Sequence, residues 1–207
     1  MRQFLEVCRP GRDTRILDVG GNPQIWKLLP QSERPQVVYL NLPRAFEPGV
    51  DDPNSLVFGD GLHLPFADQS FDLVFSNSVI EHVGSAANQQ RFADEVRRVG
   101  KRYWVQTPNH GFPVEQHLLT PFLHWLPVGL RRAVATRFTV WQWIARPSAE
   151  SKRFYVEHFL NDIRLLTRAE MCDLFPEAQI LRERAFGFTK SWTAFTSGDG
   201  ASGVRPK

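Results

Sequence analysis

The chain has 207 residues, of which 42% are hydrophobic and 23% charged, and a formal net charge of +3. That size and balance suit one globular domain with a substantial core and exclude a disordered or fibrous chain. No apolar run reaches the length of a membrane-spanning helix, and Met1 to Pro10 carries Arg2, Glu6 and Arg9 where a signal peptide would be apolar. The expectation is therefore a cytoplasmic protein. Cys8 and Cys172 stand far apart with no metal-ligand spacing around either, so both read as reduced thiols. The small positive charge permits an acidic partner without arguing for one.

The first 105 residues alternate short apolar runs with polar or helical stretches. Strand candidates are Arg15–Val19, ending at Gly20-Gly21, then Gln36–Leu40, Ser55–Phe58, Phe71–Phe75 and Arg102–Gln106. Before the fifth, Ser85 can cap a helix whose apolar face is Phe92, Val96 and Val99 and which Gly100 ends. Strands separated by helices predict a mostly parallel, doubly wound α/β sheet, whose ligands sit beyond the carboxyl ends of the strands.

Residues 110–163 break this rhythm. The stretch is rich in aromatics and arginine and reads as a helical insertion after the fifth strand. Thr120-Pro121 is its expected cap and first turn, and Leu130, Val134, Phe138, Trp141 and Ala145 its expected apolar stripe. Thr167-Arg-Ala-Glu170 is a capping box that opens a helix bearing Met171, Leu174 and Phe175, stopped at Pro176. Two strand candidates close the domain, Gln179–Phe186 and Phe188–Phe195, before a Gly/Ser-rich stretch from residue 197 to 207 that reads as a flexible tail. One domain is expected over residues 1–196.

Three features carry chemistry. Ile16-Leu-Asp-Val-Gly-Gly-Asn-Pro23 places a glycine turn directly after a strand, where backbone can approach a ligand and Asp18 can orient the turn. The Gly-x-Gly-x-x-Gly fingerprint is missing, which disfavours NAD or FAD. Asn41 ends the second strand 23 residues after Asp18, near the spacing at which an acidic residue grips a ribose. As an amide it can bond a hydroxyl without the strength of a charged acceptor, and a plain turn at Asn41-Leu-Pro fits equally well. The third feature is the block from Phe58 to Val83, in which Gly59-Asp60, Leu64-Pro-Phe66, Asp68-Gln-Ser-Phe-Asp72, Ser76-Asn-Ser78 and Glu81-His82 follow in order.

This block resembles the type 11 family of class I S-adenosylmethionine (SAM)-dependent methyltransferases, and the resemblance spans about residues 15 to 108. It implies a Rossmann-like, seven-stranded sheet and SAM as cofactor. It also implies that Asp18, Gly20, Gly21 and Asn22 form the turn around the methionine part and that Asn41 stands where the ribose is held. Asp60 would accept from the adenine amino group, with Gly61 and Leu62 bordering the ring, and Ser76 and Asn77 would close over the amino-acid end. The family's three alternate glycines are here Gly20, Asn22 and Gln24, a departure that bears on cofactor affinity.

The expected reaction is methyl transfer to a small or lipid-like acceptor, with His82, Glu115 and His117 as candidate acid–base residues. A structural role for His82 and a polar-loop role for Glu115 and His117 stay open. No metal is expected, since His63, His110, His124 and His158 lack ligand spacing. Other readings are a non-catalytic domain of the same fold with weakened cofactor binding, and a nucleic-acid methyltransferase. The latter is disfavoured because no Asn-Pro-Pro-Tyr element or concentrated basic run is present. Arginines beside tryptophans in the insertion also suit peripheral contact with an anionic membrane.

Overall fold

A computed structural model describes residues 1–21, 23–43 and 55–197. Seven strands form one sheet: β1 (Arg15–Val19), β2 (Gln36–Asn41), β3 (Leu56–Phe58), β4 (Leu73–Asn77), β5 (Tyr103–Pro108), β8 (Gln179–Ala185) and β9 (Phe188–Phe195). Their order is β3-β2-β1-β4-β5-β9-β8. The pairs among β1 to β5 are parallel, and β9 lies antiparallel between β5 and β8. The expected mostly parallel α/β sheet is therefore the one observed. The order reverses at β1/β4, so the carboxyl ends of these two strands flank the crevice where such sheets bind ligands.

The central strands β1, β4 and β5 are buried on both faces, and alternation along each one separates two cores. Leu17, Val74 and Val105 point to one face with Phe92, Val96 and Val99 of α3 (Ala86–Val99) and Met171 of α7 (Arg168–Leu174). Ser85 caps α3 by accepting from the Asn88 N–H, and Thr167 and Glu170 complete the predicted capping box on α7. Ile16, Leu73 and Trp104 point to the other face. That face is closed by α1 (Arg2–Cys8) and α2 (Pro23–Lys27), helices that the sequence reading does not foresee. Phe4 of α1 is fully buried and sets its ring edge-on to Phe75 (4.9 Å between centroids), Trp104 (5.6 Å) and Trp26 of α2 (5.8 Å).

The fourth strand differs from its expected bounds. Phe71 makes only an isolated bridge to Gly100, and the strand runs from Leu73 to Asn77. The insertion needs a larger correction, because Thr120-Pro121 starts no helix. It is strand β7, paired with β6 (Val114–Glu115) in a small hairpin. Leu119 and Phe122 on either side have φ of 50° and 59°, which a helix cannot accommodate. The Thr120 hydroxyl donates to the Leu118 carbonyl and accepts from the Val140 N–H. Helices follow only afterwards: α4 (Val128–Arg137), α5 (Val140–Ala145) and α6 (Ala149–Asn161).

The expected single stripe from Leu130 to Ala145 is broken as well. Phe138 leaves the helical region, and Thr139 starts a new helix by capping Gln142. Val134 and Trp141 pack against a third core of Leu118, Leu123, Ala135, Val156 and Phe159, while Leu130, Phe138 and Ala145 face solvent. No helix among the described residues is long and apolar enough to cross a membrane. Asn22 and the stretch from 198 to the end, most of the expected tail, lie outside the described residues.

Replacing Phe4 with alanine should cost about 3–5 kcal/mol in chemical denaturation, the range for an aromatic removed from a packed core. A change within about 0.5 kcal/mol, as for surface substitutions, would show that α1 does not close this face.

Candidate functional site

Parallel pairing brings the ends of β1, β2, β3 and β4 to one edge, and most of the sequence-predicted residues arrive there together. Gly20 has φ of 73° and donates its N–H to the Leu40 carbonyl at 2.8 Å, tying the turn to β2. Gly21 lies directly over Asp18, and a Cβ on it would stand 2.1 Å from the Asp18 carboxyl carbon. Asp18 is buried and accepts from Trp26 Nε1 at 2.7 Å, and burial pushes its pKa up to about 7 against that hydrogen bond. Asn41 donates through Nδ2 to the Gly21 carbonyl at 2.7 Å, so it braces the turn in addition to ending β2.

Asp60 follows β3 and is exposed. One of its oxygens accepts from the Leu62 N–H at 2.9 Å, which fixes the carboxylate while leaving it open to solvent. Gly61 and Leu62 beside it are half-buried. Ser76 and Asn77 divide in role. The Ser76 hydroxyl is buried and donates to the Val19 carbonyl at 3.2 Å, clamping β4 to β1, whereas Asn77 is exposed at the strand end. The edge thus offers a backbone turn free of side chains and a fixed, accessible carboxylate, donors and acceptors of the kind a polar nucleoside cofactor would use.

Beyond β4 the three candidate acid–base residues converge. A short 3-10 turn, Ile80–His82, carries Glu81 and His82, and the β6–β7 hairpin carries Glu115 and His117. His117 Nδ1 lies 2.6 Å from Glu115 Oε1, and His117 Nε2 lies 3.3 Å from His82 Nε2. On its other side His82 Nδ1 lies 3.1 Å from His158 Nε2 of α6, and His158 Nδ1 lies 2.8 Å from Asp162. Glu115 is fully buried. Burial alone would raise its pKa, but the hydrogen bonds and charge of His117 and the Leu118 N–H hold it below the usual range. His82 is pushed down to about 4, first by burial and then by the neighbouring His117 and His158, so it is neutral at pH 7. Burial pushes Glu81 up to about 7, although the Thr107 hydroxyl donates to it.

Sequence reasoning missed Glu81 and His158 as members of this cluster. The pairing of His158 with Asp162 one helical turn later is a spacing that could have flagged it. Under the insertion lies a cavity of about 390 Å³, lined in part by His110, His124, Arg131, Phe159, Arg164 and Glu170. It adjoins the cluster, because the Arg164 N–H donates to the Glu81 carbonyl at 2.8 Å.

Residues 34–103, from just before β2 to the start of β5, match the family described as a methyltransferase domain. A candidate methyltransferase of Encephalitozoon cuniculi is 52% identical over 46 residues, and that segment is 22% of this chain and 22% of the relative. In three dimensions the chain is similar to a protein from the complex of the Haloferax volcanii Trm112 methyltransferase activator with a candidate methyltransferase. The TM-score is 0.54 at 15% identity, over 95% of this chain and 87% of the other. It is also similar to a candidate Zn-dependent alcohol dehydrogenase of Rhodobacter sphaeroides, with TM-score 0.60 at 11% identity, over 95% and 88%. Likenesses at such identity are likenesses of fold. Over residues 34–103 the chain is therefore similar to methyltransferase domains, and that segment lies within the sheet described above. The motif block from Gly59 to His82 lies inside these matched residues.

Asp18 gives the fold a pH signature. The folded protein keeps its proton to about pH 7, while the unfolded chain releases it near 3.8, so the native state binds the extra proton between the two. The stability Asp18 contributes is present at low pH and is lost as pH rises through about 7. Asp18→Asn, which keeps an oxygen for Trp26, should therefore gain in Tm relative to the parent as pH is raised from about 4 to about 8. A difference that stays flat with pH would show that Asp18 is already ionised in the folded state.

Proposed function

We propose that the chain binds SAM across the carboxyl edge of β1 to β4 and transfers its methyl group to a small or lipid-like acceptor held beneath the insertion. The observation that carries this reading is the convergence on one edge of the Gly20-Gly21 turn, Asn41 and the exposed Asp60 carboxylate, with the His82/His117/Glu115 cluster next to it. When bound, SAM supplies an electrophilic methyl group, so the protein's task is chiefly to align an acceptor and exclude water. The Gly20-Gly21 turn is the path along which backbone would hold the methionine part, and Asp60 the acceptor for the adenine amino group. Asn77, exposed at the end of β4, would face the amino-acid end. Neutral His82 and the His117–Glu115 pair are the groups placed to accept a proton from a hydroxyl or ammonium acceptor.

Calorimetry with S-adenosylhomocysteine should show one site per chain. Asp60→Ala should weaken it by about 1.5–3 kcal/mol, the value of a hydrogen bond to a charged acceptor, with its thermal transition kept. Absence of heat at millimolar ligand would favour the non-catalytic reading. Unfolding of the variant would mark Asp60 as structural.

The lipid-like acceptor is favoured by the outer surface of the insertion. Phe138, Trp143, Ile144 and Phe154 are 76%, 79%, 62% and 67% exposed, with Arg132, Arg137 and Arg146 also at the surface. Large apolar side chains at such exposure mark an interaction site, and aromatic rings beside arginine suit the headgroup level of an anionic bilayer. The chain should float with vesicles containing phosphatidylserine and remain behind with neutral ones, and Trp143→Ser with Ile144→Ser should reduce flotation. Equal recovery on both vesicle types would end the membrane reading.

A further inference from the structure

We propose that Glu81, His82 and His117 form a binding site for a divalent cation of the zinc type, with an open position for an oxygen ligand. One oxygen of Glu81, Oε1, is buried and has no hydrogen-bond partner among the described residues, in a side chain with no exposed surface. A carboxylate oxygen in that state is costly unless something positive meets it. The atoms it faces are His82 Nε2, at 3.9 Å, and beyond that His117 Nε2, all three within 4.8 Å of one another.

With the three imidazoles neutral, the hydrogen-bond network determines what those two nitrogens are. Glu115 can only accept from His117 Nδ1, so Nδ1 carries the proton and Nε2 a lone pair. Asp162 likewise accepts from His158 Nδ1, which leaves His158 Nε2 an acceptor. His82 must then donate to it through Nδ1, and its own Nε2 is left with a lone pair. With the imidazoles neutral and the Glu81 carboxyl ionised, the state that binds a cation, two lone pairs and a carboxylate oxygen converge. The 3.3 Å between the two Nε2 atoms is the separation of two ligands bound at about 2.0–2.1 Å on a tetrahedral ion. Drawing Glu81 Oε1 inward by a small side-chain rotation completes three ligands.

Two His and one carboxylate are a zinc set that leaves a fourth position for water or substrate. The open side is the half-exposed one, since the His82 and His117 side chains keep 29% and 24% of their surface while Glu81 is sealed. The supports behind the ligands are those that orient metal-bound imidazoles: Glu115 on His117, and Asp162 through His158 on His82. If the methyl-transfer reading holds, the open position is where an oxygen of the acceptor would bind, and the cation, by lowering that oxygen's pKa, would then act in place of His82 and His117, whose lone pairs it occupies. The cation site itself does not depend on that reading.

The test uses the full chain, stripped with a chelator and titrated with Co²⁺ in the absence of SAM. One Co²⁺ per chain should bind with visible absorption bands, be displaced by Zn²⁺, and shift its spectrum when acetohydroxamate takes the open position. Glu115→Gln should lower Co²⁺ affinity by about 10–100-fold, as loss of an orienting carboxylate does. The near-isosteric Glu81→Gln, and His117→Ala, should lower it further, with circular dichroism unchanged for at least Glu81→Gln. His63→Ala, an exposed histidine outside the cluster, should bind as the parent does. No visible band, or a band that survives both ligand substitutions, overturns the site and leaves a proton shared between His82 and His117 in its place. A band indifferent to acetohydroxamate overturns the open position. Calorimetry with S-adenosylhomocysteine on metal-free protein reports separately on the cofactor edge, so failure of one reading is distinguishable from failure of the other.

Discussion

The edge of this sheet depends on a carboxylate buried directly beneath the first turn. Asp18 cannot be hydrated where it lies, so its hydrogen bond to Trp26 Nε1 is the interaction that makes its burial tolerable. That bond reaches α2 and, through Trp26, the ring cluster of Phe4 and Phe75 on the same face of the sheet. It also fixes the floor on which Gly21 rests, and only a residue without Cβ fits above it. Asn41 braces the same turn from β2. The shape of this edge and the packing of the face closed by α1 and α2 are thus joined through one side chain.

A second set of buried carboxylates organises the other half of the edge. Glu115 accepts from the N–H groups of His117 and Leu118 and from the His117 ring, so the hairpin of the insertion folds around it. The hairpin then delivers His117 to His82, and α6 delivers His158 to the same ring. Three elements far apart in sequence meet at one imidazole. The helices of the insertion consequently have two faces with different duties, an inner one packed around Leu123 and Phe159 and an outer one rich in bare aromatics.

Much of this was legible in the sequence wherever local rules decide the outcome. The bounds of β1 and β9, the Ser85 cap and the Thr167–Glu170 box follow from pattern and capping chemistry over a few residues. The converging edge was legible too, because Asp18, Asn41, Asp60 and Ser76 all stand at or just beyond the carboxyl ends of strands that pair in parallel. What escaped was set by tertiary context. The helix α1 shows only two buried side chains, Phe4 and Cys8, too few for a periodic signal. Thr120-Pro121 has the composition of a helix start, but its hydroxyl is claimed by Leu118 and Val140 and its neighbours have left-handed backbone. The histidine cluster joins positions 35 and 76 residues apart, a separation no spacing rule reaches.

The place of β9 bears on how the molecule is made. This strand lies between β5 and β8, so β5 has no neighbour on one side until residues 188–195 are available. During synthesis the five parallel strands leave the ribosome well before it, with a row of unpaired backbone groups along β5 and the Trp104 face lacking Phe195. Such an edge is a template for pairing with another chain. Closure by β9 therefore comes late and joins distant parts of the chain, which makes it a slow step and the interval before it the one most exposed to aggregation.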